Sequence, residues 1–303
     1  MHHAFLAILS VITTLSHATP TSLQSRDISA TQLTEFGFWV QYAAATYCPY
    51  NFAPTSIGSK IACLDNNCPQ VEADDATIFY TFGNTTITDT AGFVAVDHTK
   101  KALILAFRGS YSLRNWLVDI EFELIDPGLC EGCLADLGFW NSWILVRDDV
   151  LQVIKDAVSN HSDYELLVVG HSLGAAIATL VAADLRSRGY PSLPLYAYAS
   201  PRVGNPKMAS YITAQGNNYR FTHINDPVPK MPLLIQGYVH VSPEYYITSG
   251  NNITVTTSDV EVLEGAINLN GNTGTGLVDL SKVPAHHWYF ERADGCLSGE
   301  TPL

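Results

Sequence analysis

Apolar positions along the chain change period several times, and each change marks an element. From Ala4 to Leu15 they run almost together and lead into the small-residue stretch Ser16-His17-Ala18. Between Thr31 and Tyr47 they fall at Leu33, Phe36, Val40 and Ala44, a helical spacing with Thr31 or Thr34 as the expected cap. From Ala76 the pattern turns to short β-rich runs, Thr77 to Phe82, Gly92 to Val96 and Ala102 to Phe107, with a turn at Lys100-Lys101. A long helix is predicted from Leu134 to Val158, then a strand from Glu165 to Val169, a helix from Ala175 to Arg188 and a strand from Leu193 to Ala199. Later strands are expected at Tyr219 to Ile224 and Gly237 to Val241. Strands alternating with helices imply the α/β class, with a mainly parallel central sheet flanked by helices on both faces.

Composition narrows this. The 303 residues are 47% hydrophobic and 15% charged, enough to bury a sizeable core, and neither an internal repeat nor a low-complexity linker divides them. The formal net charge of −13, without a Lys/Arg cluster, argues against nucleic-acid binding and against strongly anionic membranes. The apolar run near the start is too short to span a bilayer and ends in small residues, so residues 1–18 are expected to be a signal peptide. Arg26 before Asp27 marks a candidate end for a short pro-segment, 19–26, leaving one domain over 27–303. The product is then extracellular.

Secretion makes sense of the six cysteines as three bridges. Cys63 with Cys68 and Cys130 with Cys133 are close enough to form local loops, and Cys48 would then pair with Cys296, closing a loop worth about 3–5 kcal/mol in the chain-entropy view. Cys130-Glu131-Gly132-Cys133 could instead be a redox or zinc motif, but no second CxxC accompanies it. Glycosylation sequons stand at Asn84, Asn160 and Asn252, each in a polar stretch.

Gly170-His171-Ser172-Leu173-Gly174 is a G-x-S-x-G pentapeptide, common by chance but here set between an apolar strand and a small-residue helix. A strand-to-helix elbow of this kind holds a serine in a strained turn at the carboxyl end of a sheet. The helix amino terminus there stabilises negative charge, and the Leu173 N–H is placed to donate to an oxyanion. His171, adjacent on a sharp turn, points away from the serine and reads as a packing residue.

A serine needs a base, and the base needs a carboxylate to hold its tautomer. In the α/β-hydrolase fold the chain order is Ser, acid, His, which makes Asp226 the acid, at the end of a predicted strand. The histidines beyond it are His240, His286 and His287. His240 lies in an alternating apolar segment and reads as a core residue. Between His286 and His287 the residues alone do not choose.

Several of these segments together resemble the fungal class 3 lipases, the group of the Thermomyces and Rhizomucor lipases, which also has a feruloyl esterase branch. The resemblance covers essentially the whole mature chain and is carried by Phe107-Arg108-Gly109-Ser110, Asn115-Trp116, the serine pentapeptide, Pro201-Arg202-Val203-Gly204-Asn205, Asn225-Asp226-Pro227-Val228-Pro229 and Pro284-Ala285-His286-x-Trp288-Tyr289-Phe290. It implies an α/β-hydrolase fold with a short helical lid, His286 as the base and His287 at a variable position. It also implies three disulfides similar to those above, and Ser110 with Leu173 as oxyanion donors. Ala175 departs from the family, whose elbow commonly continues with a third glycine.

The resemblance places the lid at Ser112 to Asp119, where Leu113, Trp116 and Leu117 fall at i, i+3 and i+4 and would give a short helix one apolar face. An apolar lid favours long-chain lipid. The expected activity is therefore hydrolysis of triacylglycerols at a lipid–water interface, by a monomer that touches the lipid surface only transiently and needs neither metal nor organic cofactor. Phospholipase A1 or galactolipase activity, or a feruloyl-type esterase, are the alternatives on the same site.

Overall fold

The computed structural model describes residues 26–64, 66–83, 89–112 and 122–296. The expected signal peptide, residues 19–25 of the expected pro-segment, the sequon at Asn84 and the lid residues Leu113, Trp116 and Leu117 lie outside them.

The first helix, α1 (Ala30–Ala45), is capped two residues before Thr31, the earlier of the two caps the sequence suggested. Ser29, not Thr31 or Thr34, accepts the Gln32 N–H at 3.1 Å, and the Gln32 side chain takes the Ser29 N–H at 3.0 Å in return. Thr34 instead turns its hydroxyl to the Ala30 carbonyl inside the helix. The helix buries Phe36, Trp39, Val40, Ala43 and Ala44. Phe36 lies 4.7 Å from the ring of Phe221 and 5.2 Å from that of Tyr245, which ties α1 to the sheet.

The sheet is built of β1 (Arg26–Asp27), β2 (Ala76–Phe82), β3 (Gly92–Asp97), β4 (Ala102–Phe107), β5 (Glu165–His171), β6 (Leu195–Tyr198), β7 (Asn218–His223), β8 (Glu244–Ile247) and β9 (Val260–Leu263), in the spatial order β1-β9-β8-β7-β6-β5-β4-β3-β2. The central strands β4 to β8 run parallel. The flanking pairs β2/β3, β3/β4, β8/β9 and β9/β1 are antiparallel. Alternate residues of β4 enter different cores. Ile104 and Ala106 join the layer under α1, while Leu103, Leu105 and Phe107 join the layer under α2 (Leu137–Asn160) and α3 (Leu173–Ser187). Burial on both faces is why these strands are continuous apolar runs without alternation.

Two expectations change. The long helix starts at Leu137, because Ala135–Asp136 pairs with Leu124–Ile125 and Asp136 then accepts the Phe139 N–H at 3.1 Å as cap. No strand forms over Gly237 to Val241; only Val239 bridges Gly204, and the His240 N–H goes to the Ala266 carbonyl. The strand that follows, β8, begins with Glu244, whose buried carboxylate is held by the Thr222 hydroxyl at 2.6 Å and by Arg220 at 3.5 Å. A buried charge with these partners is not visible in a hydropathy pattern.

Disulfides join Cys48 to Cys296, Cys63 to Cys68 and Cys130 to Cys133. The first fastens the end of α1 to the far end of the described chain, across a sequence separation of 248. No described helix is long and apolar enough to cross a membrane.

Candidate active site

The parallel strands end together, and the candidate residues gather at those ends. Strand β5 turns straight into α3 at Ser172, whose backbone lies at φ 59°, ψ −129°. A non-glycine residue there is strained by about 1–3 kcal/mol, so neighbours must hold it. The Ser172 N–H is fixed to the Tyr198 carbonyl at 2.9 Å, and its own carbonyl takes the Ala175 N–H at 3.0 Å. Both glycines are required by close approach. A Cβ on Gly170 would lie 2.4 Å from the Gly174 carbonyl oxygen, and one on Gly174 would lie 2.2 Å from that of Phe107. Ala175 is fully buried, so its methyl is absorbed in the core between helix and sheet.

Asp226 follows β7 through a turn in which Asn225 takes φ 66°. Its carboxylate is fully buried and meets His286 Nδ1 at 2.9 and 3.1 Å. The Tyr289 hydroxyl donates to it at 2.5 Å and the Val228 N–H at 2.9 Å. Burial alone would raise its pKa, but His286, Tyr289 and Val228 outweigh burial and hold the carboxyl below its ordinary value. Asp226 is thus an acceptor only, which puts the hydrogen of His286 on Nδ1 and a lone pair on Nε2. Asn272 donates to the carbonyls of His223 and Asp226, both at 2.9 Å, and fixes the turn.

Ser172 Oγ and His286 Nε2 are both buried and, among the described residues, have no hydrogen-bond partner. The other two histidines beyond Asp226 are occupied. His240 Nε2 donates to the Pro229 carbonyl at 2.6 Å, and His287 is bonded to Asp294 at 2.5 Å. His171 is buried but does more than fill space: it bonds the Tyr47 hydroxyl through one ring nitrogen and the His286 carbonyl through the other.

The chain leaving β4 passes close behind the serine. A Cβ on Gly109 would lie 3.0 Å from Ser172 Cβ and 2.0 Å from the Tyr47 hydroxyl oxygen, so only glycine fits. Arg108, buried, bonds the Gly109 carbonyl at 3.3 Å and the Asp89 carboxylate at 2.5 Å, with its guanidinium 4.0 Å above the Tyr111 ring. Ser110 is half-buried in the loop so held, and Leu173 opens α3. Its N–H is therefore among those with no acceptor inside the helix. The sequons at Asn160 and Asn252 are exposed.

Sequence reasoning gave no role to Tyr289, Asn272 or Tyr47. Tyr289 stood within a quoted motif and was the one with a signal. Asn272 lies in an irregular Gly/Asn-rich loop, and Tyr47 lies 125 positions before Ser172. No group of three or more His, Cys, Asp or Glu able to hold a metal ion occurs among the described residues.

Comparison with known proteins adds an independent line. The signature described as lipase (class 3) matches residues 104–236, and that of the lipase 3 N-terminal region matches residues 5–80. The chain is 60% identical over 294 residues to the secreted mono- and diacylglycerol lipase A of Penicillium cyclopium, covering 97% of this chain and 96% of that protein. It is 34% identical to the secreted mono- and diacylglycerol lipase 1 of Fusarium solani, over 96% of this chain and 89% of that one. The crystal structure of a mono- and diacylglycerol lipase from Aspergillus oryzae superposes with a TM-score of 0.85 at 59% identity, covering 88% of this chain and all of the other.

Proposed function

The chain belongs to the class 3 lipases, extracellular carboxylic ester hydrolases of lipid substrates, and from that premise we propose that Ser172, His286 and Asp226 form its catalytic triad. The observation that carries the reading is the pair of buried, unpartnered atoms, Ser172 Oγ and His286 Nε2, with the ionised Asp226 fixed behind the imidazole. Ser172 Oγ attacks the ester carbonyl while His286 Nε2 takes its proton, and Asp226 stabilises the imidazolium. The Leu173 N–H, with Ser110, receives the oxyanion, at the positive end of α3. His286 returns the proton to the departing alcohol, and water then repeats the sequence on the acyl-enzyme. The protein works as a monomer touching the lipid surface transiently.

On substrate, the 60% and 34% identical relatives are named for mono- and diacylglycerols, and this supports glycerides with a free hydroxyl. The apolar positions Leu113, Trp116 and Leu117 favour the second reading, triacylglycerols. Initial rates on monoolein, diolein and triolein, beside phosphatidylcholine and methyl ferulate, separate them. The first reading predicts the partial glycerides to be fastest, and a faster rate on triolein would replace it with the second. In the same assays Ser172→Ala is expected to lose at least about 10³-fold, and near-normal turnover by that variant would remove the triad.

A further inference from the structure

Behind the three catalytic parts runs a continuous line of buried hydrogen bonds. The Tyr47 hydroxyl packs directly against Gly109, where a Cβ would lie 2.0 Å from its oxygen. The Tyr47 hydroxyl lies 2.7 Å from His171 Nδ1, and His171 Nε2 lies 2.9 Å from the main-chain oxygen of His286. A carbonyl oxygen only accepts, so Nε2 carries the hydrogen and Nδ1 accepts from Tyr47. Every bond in the line therefore has a fixed direction. It starts at Tyr47, packed against Gly109 of the oxyanion loop, crosses the residue next to the nucleophile, and ends on the backbone of the base.

The line answers a geometric need. Ser172 is held rigidly by the strand-to-helix turn, whereas His286 lies at the end of a 3-10 turn, Leu280–His287, some sixty residues after Asp226. Asp226 grips one edge of the imidazole and sets its tautomer, but a ring gripped at one edge can still tilt about it. The donor from His171 fixes the main chain that carries the ring, and the two imidazoles pack with centroids 4.6 Å apart at 41°. We propose that Tyr47 and His171 are positioning residues, a polar strut that sets the distance between the oxyanion loop, Ser172 and His286. The proposal rests on the triad reading above. Burial first, and then the neighbouring His286, lower the His171 pKa to about 3, so the strut is neutral at any pH well above 3. A phenylalanine at 171 would fill the same space and leave the carbonyl without its donor, so packing and positioning can be told apart.

The test uses the full secreted chain with Tyr47→Phe, His171→Gln, His171→Phe and the double variant Tyr47→Phe/His171→Phe. For each, the rate constant for inactivation by a p-nitrophenyl alkylphosphonate is measured, with kcat and KM on p-nitrophenyl butyrate per titrated serine, well below that variant's Tm. His171→Phe is expected to lower kcat and the inactivation rate constant about 10²-fold, with KM held within about two-fold. His171→Gln is expected to recover most of the loss, because its amide N–H reaches the same carbonyl. Tyr47→Phe should lose about ten-fold, and the double variant no more than His171→Phe, since the bonds act in series. A folded His171→Phe with wild-type kcat, or strictly multiplied losses in the double variant, would overturn the strut. Should His171→Phe not fold, Tyr47→Phe, which lacks a single oxygen, decides by the same readouts. Failure of the triad looks different: the phosphonate would not label Ser172 in the wild-type protein, or His286→Ala would stay active.

Discussion

At the scale of the residue, the site is a set of atoms whose partners are either fully specified or missing. Asp226 has its acceptor capacity taken by His286, Tyr289 and Val228, and Ser172 Oγ and His286 Nε2 have no partner among the described residues. The Tyr289 hydroxyl favours the charged carboxylate, so its removal must raise the Asp226 pKa. Tyr289→Phe is therefore expected to move the acid limb of the kcat/KM profile to higher pH and to lower the plateau by about ten-fold. An acid limb that stays in place would show that the tyrosine does not tune the acid. Asp226 and Ser172 were legible as candidates from residue order and local context, because a nucleophile and an acid of those side-chain types are expected at a turn and at a strand end. The choice of His286 over His287 came from a resemblance. Coordinates supply the physical reason, since His287 is taken by Asp294. Tyr47 and Asn272 were not legible, because their partners are main-chain atoms brought near by the fold, and a sequence carries no mark of that.

At the scale of the element, termini depend on single side chains. The reciprocal bonds of Ser29 and Gln32 define the start of α1, and Ser29→Ala should cost about 1 kcal/mol in denaturant unfolding without changing kcat. A loss of activity out of proportion to stability would contradict a purely capping role. Gly174 is more severe. A methyl there collides with the Phe107 carbonyl at 2.2 Å, so Gly174→Ala should displace α3 from β4 and abolish activity even where the protein remains folded. Wild-type turnover by that variant would mean that the elbow tolerates what the geometry forbids. Strand and helix types were read correctly where both faces are buried, as in β4 and β5. The errors fell where polar groups satisfy one another. Asp136 ends the ribbon and starts α2, and Glu244 opens β8 against Arg220 and Thr222, so the segment before it was taken for the strand.

At the scale of the molecule, the nine-stranded sheet presents the carboxyl ends of its parallel strands to one region, and every candidate catalytic atom is delivered there. The alternation of strands and helices made the α/β class legible. The short antiparallel strands β9 and β1 were not, because strands of two to four residues carry too short a pattern. Buried charge gives the whole molecule a pH dependence. His171 has a folded pKa of about 3 against an ordinary 6.5, so the unfolded chain takes up a proton between these values that the folded chain refuses. Stability from this group is complete above 6.5 and is lost as pH falls toward 3, by about 1.4 kcal/mol per unit. Asp136, raised by burial to about 6, works the other way, its contribution fading as pH rises from 3.8 to 6. The clean quantity is the difference between wild type and His171→Gln. The variant should lose stability less steeply below pH 6.5, and parallel curves would refute the neutral, buried state assigned to His171. The Cys48–Cys296 bridge acts at the same scale, and Cys296→Ser should lower stability by about 3–5 kcal/mol.

The account depends most on one atom, Ser172 Oγ. Wild-type protein treated with a fluorophosphonate and mapped by peptide mass spectrometry should carry one label per chain, on the peptide containing Ser172, with loss of lipase activity in step with labelling. A label on another residue, or full activity remaining after Ser172 is modified, would contradict the nucleophile assigned here.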